Sequence, residues 1–470
     1  MASYADQVRR LRELGPRPSG SVAHRALIED VAGELRALGY VVHRDRHTFK
    51  GWEVSRDNVS LRIASARVPL SSEWPYSGST DAQGVTAPLV LLDGIRKNWK
   101  AAAGKIAVID VSNIDVPAKL FINSWSGRLP FESASNPVIG SELAGTDLAK
   151  ARRAGVLGVV ATWSGLSDGA AAGQYLPFTR DYQGVPAVWA PESQRSAIRA
   201  AARRGETATL VLPARTIPGA TMDTLWAVSQ GGNAADEAVL VVTHSDGGNV
   251  VEENGHIGLL ALARDAARNS HDRTIVFVYT AGHLRIPAVT DRGQATTAWL
   301  DAHPELWSPD SDGLTAVGGL VIEHLGAKHF RVNHDTGEYG PDGSIEPELL
   351  YASTPQLADL AERMWEGEAG GGPITVKPGA LVHLGEGEPL FEHGVPALAL
   401  VTGPDYLLAE IDEDMVDLPS LTRQVDSFRR VLQYLAGPTD KSAFGVVRRP
   451  GNLRKLLAGL RAVWYVVSRR

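Results

Sequence analysis

Val239-Leu-Val-Val-Thr-His-Ser-Asp-Gly-Gly-Asn-Val-Val-Glu-Glu-Asn-Gly-His-Ile-Gly-Leu-Leu-Ala-Leu-Ala-Arg264 decides how this chain is read. An apolar run ends in Thr243-His244-Ser245-Asp246. A glycine-rich acidic turn follows from Gly247 to Gly255, and then an Ala/Leu-rich segment with helical spacing. The pattern is a buried strand that delivers His244 and Asp246 at its C-terminal end, then a loop that sets Glu252 and Glu253 just ahead of a helix. In open α/β sheets that edge binds ligands. A histidine with several carboxylates is the raw material of a metal site. A purely structural reading of the acids stands beside this one: they complement the helix dipole, and Asn254 serves as the N-cap.

Other strand ends repeat the motif. Arg273-Thr-Ile-Val-Phe-Val-Tyr-Thr280 leads into Ala281-Gly282-His283, and Gly318-Gly-Leu-Val-Ile322 leads into Glu323-His324. Further on come Gly385-Glu386-Gly387, the run Pro396 to Val401, and Gly403-Pro-Asp-Tyr406. Helical segments lie near 24–38, 294–303 and 418–435. Strands alternating with helices predict an α/β fold with a doubly wound, mostly parallel sheet. A lone histidine at a strand end is more often structural, but three such ends point to one pocket. Imidazoles and carboxylates suit a single zinc ion. The candidate ligands are His244, Asp246, Glu252, His283 and Glu323, with Asp246 alternatively orienting the imidazole. Glu253, His324, Glu386 and Tyr406 are the candidates for the chemical steps.

The 470 residues predict two domains. With 0 cysteines, disulfides, cysteine-based zinc sites and thiol nucleophiles are excluded. A net charge of -7 argues against nucleic acid as a partner. The N-terminal stretch is polar and amphipathic, and no apolar run is long enough to span a bilayer, so a cytoplasmic protein is expected. Gly15-Pro-Arg-Pro-Ser-Gly-Ser21 is a breaker cluster; Arg17 and His24 are weak candidates for substrate contacts. Between residues 70 and 215 the texture changes to short β-like runs, which predicts a small β-rich insert in a main domain made of 1–69 and 216–440. Its long loop from Val111 to Gly145 carries Trp125, Arg128 and Phe131. The remainder, 441–470, is a basic amphipathic tail with Leu453, Leu456, Leu457, Leu460, Val463, Trp464 and Val467 in one stripe. Such a tail suits an anionic membrane surface, self-association, or packing on its own domain.

A serine nucleophile is disfavoured. The one Gly-x-Ser-x-Gly match, Gly165-Leu-Ser-Asp-Gly169, lies in the insert without a clear helix after it. A GxxxxGK[ST] phosphate loop is absent from the sequence.

Over most of its length the chain resembles the M28 (aminopeptidase Y/S-like) zinc peptidases with an inserted protease-associated domain. The resemblance rests on Gly15-Pro-Arg-Pro-Ser-Gly-Ser, on Gly104-Lys-Ile-Ala-Val-Ile-Asp, Ala149-Lys-Ala-Arg-Arg-Ala-Gly and Gly184-Val-Pro-Ala-Val in the insert, and on Thr243-His-Ser-Asp. It implies a zinc-exopeptidase-like fold, hydrolysis of peptide or amide bonds, and His244 as the first metal ligand with Asp246 supporting it. The chain departs from the pattern elsewhere. The bridging aspartate is replaced by Glu252 or Glu253. The Glu-Glu pair of base and ligand aligns with Gly282-His283, the next aspartate with Glu323, and the last metal histidine falls near Asp405-Tyr406. Three readings follow: a metal-dependent amide hydrolase with a remodelled site, a metal-independent acyl-transfer or cyclisation enzyme, and an inactive peptide- or partner-binding homologue.

Overall fold

The computed structural model describes every residue except 1, 95–96, 121, 128, 130, 145, 292, 369–372, 380–382 and 452–470. Two sheets organise it. The larger has nine strands. At its centre Arg273–Thr280, Ala234–His244, Thr315–Val321 and Ala397–Val401 run parallel, side by side in that order. Antiparallel strands border this core: Arg215–Ser229 and then His43–Glu53 on one side, Leu349–Ala352 on the other. The expected parallel α/β sheet is present, with antiparallel additions at both borders.

The central strands read as continuous apolar runs because both their faces are covered. Val239 and Val241 point into one core, together with Leu27, Leu259 and Val425 from helices Val22–Ala37, Gly255–Ala266 and Leu418–Ala436. Ala238, Leu240 and Val242 point into the opposite core with Trp299 and Leu390. The side-chain period of two thus fills both layers.

The second sheet has eight strands, all between residues 60 and 211. Ser60–Ile63 and Ala66–Val68 belong to it, so this sheet begins before residue 70. Their shortness hid this, because four and three residues carry little periodic signal. The 111–145 loop does more than cover surface: Asn123–Ser124 pairs with Ile374–Lys377 and extends the large sheet. Of the residues singled out there, Arg128 lies outside the described residues. So does the tail's apolar stripe. Before it, Phe444 is fully buried in the main core. Among the described residues, no helix is long and apolar enough to cross a membrane.

Helix Gly255–Ala266 sits very close to the sheet, and Gly255 is why. A Cβ there would lie 1.9 Å from the Ile322 carbonyl oxygen and 2.3 Å from Thr243 Oγ1. At Gly248 the nearest atom would be 3.4 Å away, an ordinary contact. Gly255→Ala is expected to cost about 3 kcal/mol through overpacking and Gly248→Ala under about 1 kcal/mol, as measured by urea unfolding. Equal costs would show that the helix can shift freely.

Candidate metal centre

The parallel strands end together, and their C-terminal ends build the site. His244 closes its strand; its Nδ1–H donates to the Asp246 carbonyl at 3.0 Å. That bond sets the tautomer and leaves a lone pair on Nε2. Nε2 is buried and has no partner. Burial, then the neighbouring His283, pushes this imidazole down to about 4, so it is neutral at physiological pH.

Asp246 is not free to ligate. Its Oδ1 accepts from the amides of Gly282 and His283 at 3.0 and 3.1 Å. Its Oδ2 accepts from the Leu284 amide at 2.8 Å and from the Ser19 hydroxyl. Four donors saturate the carboxylate, so the sequence-based placement of Asp246 among the ligands is corrected. It fixes the loop that presents His283.

His283 is gripped on every side. Its Nδ1–H donates to Glu386 Oε1 at 2.8 Å, and its Nε2 lies 3.8 Å from Glu252 Oε1. Its ring stacks on His244 with centroids 4.2 Å apart. Burial alone would lower its pKa, but Glu386, Glu252 and Asp246 outweigh burial and raise it to about 10. Glu386 is fully buried and also accepts from the Thr296 amide at 2.8 Å. It acts through His283.

Glu323 and His324 complete the other wall. Glu323 Oε1 accepts from the Glu386 amide at 2.7 Å, while Oε2 is buried without a partner. Burial and then Glu386 push its carboxyl up to about 7. His324 has φ 54, a left-handed conformation that turns its ring back toward the strand ends. Its Nδ1 lies 3.0 Å from the Thr402 carbonyl. Burial keeps it well below the usual histidine range, hence neutral.

Two donor sets can therefore surround one cation: His244 with Glu252 and His283, and His244 with Glu323 and His324. In each, the ligand atoms lie within 4.8 Å of one another. Both consist of two imidazoles and a carboxylate, which suits zinc. His244 Nε2, Glu252 Oε1 and Glu323 Oε2 all lack partners. Leaving such atoms bare costs about 1–3 kcal/mol each, which a cation would relieve.

Glu252 and Glu253 part company. Glu252 takes the Gly248 amide on Oε2 at 2.8 Å and turns Oε1 toward the histidines. Burial raises its pKa well above the usual range. Glu253 points the other way, onto the fully buried Arg17 guanidinium. Burial still pushes the Glu253 carboxyl up to about 7 against the pull of Arg17. Arg17 also donates to the Asn249 carbonyl at 2.7 Å and the Leu11 carbonyl at 2.6 Å. Arg17 and His24 are thus internal struts; neither faces a ligand. The breaker cluster around Arg17 was the only signal, and nothing in it named Glu253.

Two more expectations are corrected. Tyr406 is fully buried, donates to the Lys328 carbonyl at 2.6 Å and packs on Phe330, away from the histidines. Its apolar neighbours draw the ring into the core. Asn254 makes no side-chain cap; its amide group pairs instead with the Leu325 carbonyl and amide, both at 2.7 Å.

Zinc uptake requires the proton on Glu323 to leave. Zinc affinity should fall on the order of tenfold per pH unit below 7 for each proton displaced. Titration calorimetry in buffers of different ionisation enthalpy checks this; proton-neutral binding at pH 6 would contradict it. Arg17→Met should cost about 3–5 kcal/mol at pH 8 by leaving Glu253 charged and unpaired. The cost should shrink at pH 6, where that carboxyl holds a proton; urea unfolding at the two pH values measures it.

No protein-family model and no curated protein matches this chain. Solved structures do. The peptidase M28 precursor from Shewanella amazonensis SB2B superposes with a TM-score of 0.66 at 18% identity, over 96% of this chain and 95% of that one. The aminopeptidase from Aneurinibacillus sp. strain AM-1 gives 0.61 at 17%, over 96% and 97%. A zinc aminopeptidase from Bacillus subtilis gives 0.62 at 15%, over 94% and 96%. At these identities the likeness is one of fold, and this chain shares that zinc-aminopeptidase fold along nearly its whole length.

Proposed function

We propose that this protein is a metal-dependent hydrolase of amide bonds, aminopeptidase-like, working on small peptides or amides with one zinc ion in a remodelled site. The observation that carries the reading is that His244 belongs to two possible donor sets at the ends of the parallel strands, one with Glu252 and one with Glu323, and that His244 Nε2, Glu252 Oε1 and Glu323 Oε2 are buried without a hydrogen-bond partner. The fold it shares with zinc aminopeptidases agrees with it. We read the 60–211 unit as a protease-associated-like insert, since eight of its strands form a sheet of their own in the chain between His43–Glu53 and Arg215–Ser229 of the main one.

Charge separates the two donor sets. His244 and His324 are kept neutral by burial, whereas the Glu386 carboxylate hydrogen-bonded to Nδ1 outweighs burial and favours the imidazolium form of His283. Neutral imidazoles ligate metals; imidazolium does not. His244, Glu323 and His324 would hold the ion, and Glu252 and His283 would face it. Zinc bound there supplies Lewis acidity toward the amide carbonyl and toward water. In its ionised form Glu252, whose Oε1 has no hydrogen-bond partner, takes the proton of the attacking water. The His283 imidazolium, aimed by Glu386 through Nδ1, donates from Nε2 to the departing amine. Glu253 is excluded as base by Arg17, and Glu386 by its bonds to His283 and Thr296.

The same His283–Glu386 pair favours one alternative, acid–base acyl transfer or cyclisation without metal, because it supplies a fixed proton donor by itself. Metal dependence decides between them. Aminoacyl-anilide hydrolysis should be lost on chelation and restored by zinc. Glu252→Gln should lower kcat by about 10²–10⁴-fold with zinc retained by elemental analysis. Glu323→Ala and His324→Ala should lose the zinc. Turnover that survives chelation would overturn the zinc reading.

A further inference from the structure

Helices Tyr4–Leu14, Val22–Ala37 and Gly255–Ala266 border a cavity of about 380 Å³, the volume of a small-molecule site. No residue of the strand-end centre lines it. The buried side chains of Leu11, Leu27, Val31 and Leu260 give it an apolar wall. Gly33 lines it too, from the interior of helix Val22–Ala37, where glycine is unfavourable. A Cβ at Gly33 would meet nothing within 4 Å, so helix packing does not demand the glycine. What the missing side chain preserves is open space beside the cavity.

The charges on its rim are unevenly satisfied. Arg10 donates to Asp30, Ser3 to Asp6 and Arg44 to Glu29. Arg264 and Glu34 do not complete each other. Arg264 Nη2 stands 3.9 Å from Glu34 Oε2, beyond hydrogen-bond reach, and Arg264 Nε is buried without a partner on a side chain only 16% exposed. A guanidinium set so deeply normally spends its N–H groups on acceptors. His256 lines the same cavity. Its Nδ1–H donates to the Glu253 carbonyl at 2.9 Å, and burial pushes the ring down to about 4, so Nε2 carries a lone pair at neutral pH.

We propose that this cavity is a second binding site, for a free amino acid with an apolar side chain: its carboxylate pairs with Arg264, its ammonium is met by Glu34 and His256, and its side chain lies against the leucine wall. An α-amino acid carries all three groups on one carbon, and so answers unlike charges 3.9 Å apart beside an apolar surface. A simple amine would leave the Arg264 guanidinium desolvated and unpaired, and a simple carboxylate would do the same to Glu34. Arginine also favours the planar, two-pronged pairing that a carboxylate offers. The site stands independently of the amide-hydrolase reading.

Calorimetric titrations of L-leucine, glycine, 3-methylbutylamine and 4-methylpentanoate into the zinc-free full chain test it, with Gly33→Phe, Arg264→Gln and His324→Ala in parallel. Wild type should bind leucine about tenfold or more tighter than glycine, the discrimination expected of an apolar pocket, and tighter than either molecule that lacks one charge. Gly33→Phe fills the cavity from a position with free space around Cβ; circular dichroism should show it folded, with leucine binding weakened at least about tenfold. Arg264→Gln should weaken leucine and 4-methylpentanoate but leave 3-methylbutylamine unchanged. His324→Ala, which alters the metal centre, should bind leucine as wild type does. A wild type without saturable leucine binding overturns the proposal, as does equal binding of leucine and 4-methylpentanoate. So does leucine binding that persists in folded Gly33→Phe; its loss in His324→Ala would instead put leucine at the strand ends.

Discussion

The Asp246 carboxylate is the constraint on which the rest of the site depends. It accepts from three successive amides, Gly282 to Leu284, and from the Ser19 hydroxyl. These donors lie in two segments remote in sequence, which meet on the end of a third. A buried carboxylate of this kind is tolerated only when its lone pairs are filled. Filling them forces the turn after Thr280 to wrap around the end of the His244 strand, which sets the two imidazoles 4.2 Å apart. The N-terminal segment is drawn in by the same group. Its backbone pairs with Gly247, its Arg17 reaches Glu253, and its His24 lies 3.1 Å from Ser245 Oγ.

Around that anchor, charge is distributed unevenly, and the unevenness gives the site its chemistry. Glu386 makes His283 a fixed cation, and Arg17 occupies Glu253, so two of the four glutamates near the centre are already compensated. Glu252 and Glu323 each keep one oxygen without a hydrogen-bond partner toward the histidines, and burial raises both. The centre thus combines neutral imidazoles with carboxyl groups whose pKa values burial raises. Such a set exchanges protons for a cation at little electrostatic cost.

Much of this was legible in the chain. The apolar runs of the central strands and the titratable residues directly behind them identified the edge where the site lies, and the structure brings His244, Glu252, His283, Glu323, His324 and Glu386 to one place. These readings worked because a parallel strand buried on both faces has a strong local signature. Arg17 was hidden because its role depends on a partner 236 residues away. Tyr406 was misread because it follows a strand end, yet its ring turns into the core.

The sequence by itself determined the α/β class, the strand-end placement of histidines and glutamates and the lack of thiol chemistry. All of these follow from residue type and periodicity within a few dozen residues. Only the tertiary structure decided which glutamate faces the histidines, that Asp246 is an organiser, that Glu386 hydrogen-bonds His283, and where the second sheet begins. Those outcomes turn on hydrogen bonds and burial between remote segments, and a carboxylate becomes ligand, base or strut according to which donors reach it.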